Sequence, residues 1–114
     1  MEELSIILKS YDLYKFVVEA NHHIDKRWRY TLGASLESSV LELISEVIMA
    51  KHAPRHVRVT YLLKAGAHLE IIRFKLRACL ELEVMNETQI FQAQSHASEI
   101  GRMLGGWIKS SSTP

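Results

Sequence analysis

The chain has 114 residues, of which 47% are hydrophobic and 24% charged, and its 14 Lys/Arg against 13 Asp/Glu leave a formal charge of +1. That is long enough for one domain with a real core, too apolar for a disordered chain, and too neutral for composition to announce a nucleic-acid binder. Two prolines and five glycines are too few for a turn-rich β fold, and Leu, Ile, Ala, Glu, Lys and Arg suit helices.

Cys79 is the single cysteine. It cannot close a disulfide within the chain, so a reducing cytoplasm is expected. The opening MEELSIILKS is acidic and only briefly apolar, unlike a signal peptide, and no apolar run approaches the ~20 residues that span a bilayer.

Four periodic stretches follow one another. The first is predicted from about Glu3 to Arg29, with the inward stripe Ile6, Leu13, Val17, Ala20, Ile24 and Trp28 at helical spacing. Tyr30-Thr31-Leu32-Gly33 is expected to interrupt it. The second runs from Ala34 to His52 along Leu36, Val40, Leu43, Val47 and Ala50, and Leu41, Ile44 and Ile48 predict a broad buried face. Pro54 stops this stretch or opens the next.

The third stretch, Arg55 to Glu83, has the cleanest three-four repeat: Leu62, Ala65, Leu69, Ile72, Leu76, Cys79. The fourth begins at Asn86, an N-cap residue with Gln89 at the capping-box position. It continues through Ile90, Ala93, Ala97, Ile100, Leu104 and Trp107 or Ile108. Ser110 to Pro114 carries no stripe and is expected to be a frayed, disordered tail beyond a 1–109 bundle. Helices of this length joined by short loops predict an all-α, up-down-up-down four-helix bundle.

Candidate chemistry is sparse. Glu19 and His22 make one Glu-x-x-His step, but a di-iron bundle needs two such steps and two further inward carboxylates, so no metal or cofactor is expected. Pro54 separates His52 from His56, and His68 and His96 stand alone. Cys79 falls on the core seam and reads as a small buried apolar residue. No phosphate-binding Gly-rich loop precedes a helix, and nothing predicts an enzyme.

Two groupings remain. From Pro54 to Met85 six Lys/Arg face three Glu, an excess of +3, whereas Thr31 to Ala53 stands at −2. Within the basic stretch Glu70, Arg73 and Arg77 share a helical face, Arg58 and Lys64 lie toward its N-terminal end, and Lys75 lies on another face. These five cations are either a solvated face or a stripe for phosphates. Gly101, Gly105 and Gly106 inside the last helix indicate close backbone approach, either within the bundle or between subunits.

Three segments in order, Arg29-Tyr30-Thr31-Leu32-Gly33, Leu69-Glu70-Ile71-Ile72-Arg73-Phe74-Lys75-Leu76-Arg77 and Glu99-Ile100-Gly101-Arg102-Met103-Leu104-Gly105-Gly106-Trp107-Ile108-Lys109, resemble a known bacterial four-helix-bundle family. It includes Avd, the accessory variability determinant of diversity-generating retroelements, and the resemblance spans about Tyr11 to Lys109. It implies a ring-shaped homo-oligomer, a pentamer, that binds the retroelement's reverse transcriptase and its RNA or DNA during mutagenic retrohoming without catalysis of its own. The family's paired functional arginines match Arg73 and Arg77, with Lys75 between them. The +1 charge is low for a ring that holds nucleic acid strongly, and it is compatible with weak RNA affinity and the polymerase as main partner. Arg29 and Arg102 are expected to cap carbonyls or to pair with Glu99. The alternative is an oligomeric interaction bundle with no nucleic-acid role.

Overall fold

The computed structural model describes residues 2–113. Its elements are α1 (Glu2–Asn21), the single turn α2 (Lys26–Trp28), a π-helical segment (Arg29–Gly33), α3 (Ala34–His52), α4 (Arg55–Glu81) and α5 (Glu87–Ser112). The four long helices form a rod of 49 × 21 × 20 Å. Helix α1 packs on α3 and α5, and α4 packs on the same two. The α1/α3 pair and the α4/α5 pair therefore form opposite flanks of a four-helix bundle.

The core follows the three-four repeats. Leu13, Val17, Leu36, Val40, Leu43, Val47, Leu62, Ala65, Ile72, Leu76, Cys79, Ala97 and Ile100 are all essentially inaccessible. Each large side chain buried in this way contributes roughly 1.5–3 kcal/mol of transfer free energy. Trp107, rather than the half-buried Ile108, completes the α5 seam.

The first corner departs from the predicted pattern. Helix α1 ends at Asn21, eight residues before Arg29, and Tyr30 to Gly33 is π-helical and runs directly into α3. Side chains explain the change. The Asn21 amide donates to the Gly33 carbonyl at 2.9 Å and to Glu37 Oε2 at 2.5 Å. Arg29 donates to the carbonyls of Asn21, His22 and Ile24 at 3.1–3.2 Å. It thereby satisfies acceptors that a helix C-terminus leaves without partners. Asp25 caps the new turn through the Arg27 N–H at 2.9 Å. Gly33 allows this closure, since a Cβ there would sit 2.7 Å from Asn21 Oδ1 and 3.1 Å from the Trp28 carbonyl.

The broad buried face predicted for α3 is narrower. Leu41 and Ile48 are exposed and Ile44 is half-buried, because all three lie beside, and not on, the Leu36–Val40–Leu43–Val47–Ala50 seam. Pro54 occupies the N-cap of α4, where its carbonyl accepts from the Val57 and Arg58 N–H groups at 2.9 and 3.0 Å.

Helix α4 stops at Glu81, two residues early. Val84 N–H bonds the Cys79 carbonyl at 2.8 Å and Glu83 N–H bonds that of Leu80 at 3.1 Å, with Glu83 at φ 57°. This is a Schellman stop with a glutamate in the left-handed position. The Asn86–Gln89 capping box forms in both directions, at 2.8 and 3.1 Å.

The tail expected from Ser110 is helical through Ser112. Ser110, Ser112 and Thr113 hydroxyls bond carbonyls three or four residues back, at 2.8–3.1 Å. Arg55 donates to the carbonyls of Ser110, at 2.8 Å, and Thr113. Pro114 lies outside the described residues.

Candidate partner-binding groove

Because Leu69, Ile72, Leu76 and Cys79 commit one side of α4 to the core, Glu70, Arg73, Phe74 and Arg77 are left toward the outside and toward α5. Together with residues of α5 they line an open groove of about 870 Å³. Glu70, Arg73 and Arg77 belong to its α4 wall, and Phe74, Leu80 and Phe91 make much of its surface apolar. Phe91 is 76% exposed and Phe74 62%. Neither ring is used by the core.

The two arginines differ in what holds them. Both terminal nitrogens of Arg73 donate to Ser98 Oγ at 3.2 Å, and Gln94 donates to the Arg73 carbonyl at 3.3 Å, bridging α5 to α4. Arg77 Nε pairs with Glu81 Oε2 at 2.9 Å. Both partners of that pair are exposed, so it contributes only about 0–1 kcal/mol and is easily exchanged. Arg73 faces a neutral hydroxyl, which leaves its charge available to an acidic ligand. The arrangement is a hydrophobic trough with a cationic edge, suited to holding a surface rather than activating a bond.

The other predicted cations go elsewhere. Lys75 points to the opposite side of α4, where Nζ donates to Ser39 Oγ at 2.6 Å and to the Ser35 carbonyl at 3.2 Å. Arg58 caps the end of α3 by donating to the carbonyls of Ala50 and Ala53, at 3.1 and 3.3 Å, and lies 5.8 Å from the Trp107 ring. Lys64 is exposed, 5.6 Å from the Tyr61 ring. The five therefore do not make one stripe; Arg73 and Arg77 alone share the groove. Phe74 and Phe91 were not singled out from the sequence, although both are large aromatics one or two residues off an apolar seam, which is the available signal.

Arg29 caps carbonyls as expected, whereas Glu99 pairs with Lys9 at 3.3 Å and not with Arg102. Glu19 meets His23 at 3.5 Å instead of His22, with both side chains well exposed. His68 meets Glu42 at 3.1 Å. Among the described residues no group of three or more His, Cys, Asp and Glu is placed to hold a metal ion. Cys79 is buried, and burial raises its thiol to about 11, so little thiolate is present at neutral pH.

The glycines of α5 are divided. A Cβ on Gly101 would only touch Leu69 at 3.5 Å, and one on Gly105 would meet nothing within 4 Å. Packing inside the bundle therefore does not require glycine at Gly105.

Fold and groove together define an all-α four-helix bundle with an outward, arginine-edged apolar groove. The sequence model of the bAvd-like family matches residues 5–111, so the chain belongs to the bAvd-like family. Among solved structures, a protein of unknown function from the S23 ribosomal protein family of Bacteroides thetaiotaomicron superposes with a TM-score of 0.86. The match covers 96% of this chain and 99% of that one at 16% identity, a likeness of fold. No curated protein matches. Among the described residues no helix is long and apolar enough to cross a membrane.

Proposed function

We propose that this protein is a non-catalytic accessory subunit of a diversity-generating retroelement, docking the reverse transcriptase in the α4/α5 groove and meeting its RNA or DNA weakly through the same cationic edge. The observation that carries the reading is the juxtaposition of Arg73 and Arg77 with exposed Phe74 and Phe91. Solvent-facing aromatics beside arginines have the composition of interface hot spots. Membership of the bAvd-like family supports the same partner class. A ring-shaped homo-oligomer, with the pentamer favoured, belongs to this reading.

The test is capture of the cognate reverse transcriptase by the Arg73→Glu/Arg77→Glu double variant. Capture should be lost while helicity and molar mass stay unchanged. Undiminished capture by the folded variant removes the site assignment.

A second reading has an observation of its own. The flank opposite the groove carries exposed Tyr11 on α1 and exposed Leu41 and Ile48 on α3, two helices that pack on each other. Two different apolar patches on one protomer are what a head-to-tail assembly uses, and a ring forms when the rotation between copies closes. On this reading the chain is an oligomeric interaction bundle without a nucleic-acid role, and the groove receives the α1/α3 flank of a neighbouring copy. Light scattering separates the two, since the same double variant then falls to a monomer.

A further inference from the structure

The corner between α1 and α3 holds more chemistry than the fold uses. In the segment Arg29 to Gly33, Arg29 caps three carbonyls, Thr31 Oγ1 donates to the Arg27 carbonyl at 2.8 Å, Leu32 packs against the core, and Gly33 makes room for Asn21. Tyr30 does none of these things. It is 69% exposed, so most of its ring is offered to solvent.

Two cations accompany it. Lys26 and Arg27 are exposed, and neither appears in an ion pair among the described residues. Lys26 lies four residues before Tyr30 on the same helical run, hence beside it. The Arg27 guanidinium lies 4.5 Å from the Trp28 ring, a stacked arrangement that presents a second flat, cationic surface. The nearby acids keep their charge but have other partners: Asp25 accepts the Arg27 backbone N–H and Glu19 lies 3.5 Å from His23.

We infer that Lys26, Arg27 and Tyr30 form a contact site for single-stranded nucleic acid, the bases stacking on Tyr30 and on the Arg27–Trp28 pair and the phosphates meeting Lys26 and Arg27. Flat aromatic faces interleaved with cations are how proteins hold unpaired strands without reading sequence. A membrane surface would require a wide apolar helix face, and here Leu32 points inward and the outward residues are Lys26, Arg27, Tyr30 and Thr31. An acidic peptide would use the cations and leave the tyrosine without a task. The site is separate from Arg73 and Arg77, and it draws on the proposed function only for the expectation that RNA is encountered.

The experiment is fluorescence anisotropy of the full chain with labelled oligouridine, without polymerase, at low and high salt. The wild type should bind at low salt and lose affinity as salt rises. Tyr30→Ala should weaken binding about tenfold, and Lys26→Glu/Arg27→Glu should lower the salt slope by about 0.7 per cation removed. Thermal melts should be unchanged for Tyr30→Ala and only slightly lowered for Lys26→Glu/Arg27→Glu, which loses the Arg27–Trp28 contact. Photocrosslinking from 4-thiouridine should map to Tyr30. Absence of wild-type binding at low salt overturns the inference, as does equal affinity for all variants. So does tighter binding to polyglutamate or phosphatidylserine vesicles than to oligouridine. Arg73→Glu/Arg77→Glu keeps the Tyr30-dependent part of oligouridine binding if this inference holds, whatever happens to polymerase capture.

Discussion

The corner between α1 and α3 and the flank formed by α4 and α5 use arginine for opposite ends. At the corner, Arg29 is inside a network with Asn21 and Gly33 and holds three backbone carbonyls. On the flank, Arg73 holds one serine hydroxyl and Arg77 one exposed carboxylate. The difference teaches where folding information ends and surface information begins. A guanidinium that satisfies helix-terminal carbonyls performs structural work, and Arg58 and Arg55 join Arg29 in that role. One that faces a replaceable polar atom beside exposed aromatic rings is available to a partner.

This contrast can be broken by measurement. The largest effect is expected at Gly33. Gly33→Val places methyl groups against the Asn21 amide and should destabilise by about 2–4 kcal/mol, since overpacking and an unsatisfied buried amide act together. Denaturant unfolding would read this, and a cost under about 1 kcal/mol would show that the corner yields easily. Arg29→Ala should cost about 1–3 kcal/mol by freeing three carbonyls.

A gain is expected from Glu83→Gly, roughly 0.5–1 kcal/mol, because the left-handed position of the Schellman stop penalises any side chain. Its thermal melt sharpens the comparison, as this turn ends the helix that carries the groove arginines. The smallest change is expected on the flank itself: Phe91→Ser should alter stability by less than about 0.5 kcal/mol yet reduce partner capture. A large stability loss there would mean that the ring belongs to the fold after all.

Much of the bundle was legible because its signal is periodic. Leu62 to Cys79 repeats at three and four and is buried throughout, and Asn86 with Gln89 writes a capping box into local sequence. The first corner was not legible. Ile24 and Trp28 continue the α1 stripe in register, so periodicity carries the reader past the break at Asn21. What sets the break is a set of side-chain contacts spanning five to sixteen residues, which no single-helix pattern contains. At the site, spacing identified Arg73 and Arg77 as neighbours but could not reveal that Lys75 turns to Ser39 or that Arg58 closes α3. Those outcomes depend on which helix lies on each side of α4. The groove itself is made by two helices and has no signature in either alone.

The span of those contacts also bears on the order in which the chain folds. Asn21 reaches Gly33 across twelve residues and Arg29 reaches Asn21 across eight, whereas Arg55 reaches Ser110 across fifty-five. Short loops close with little entropic penalty and in tens of nanoseconds, and distant ones later. The α1–α3 corner is thus placed to form early, and the clasp of Arg55 on the end of α5 to form last. Substitutions at Arg29 should then slow refolding, and those at Arg55 should chiefly hasten unfolding.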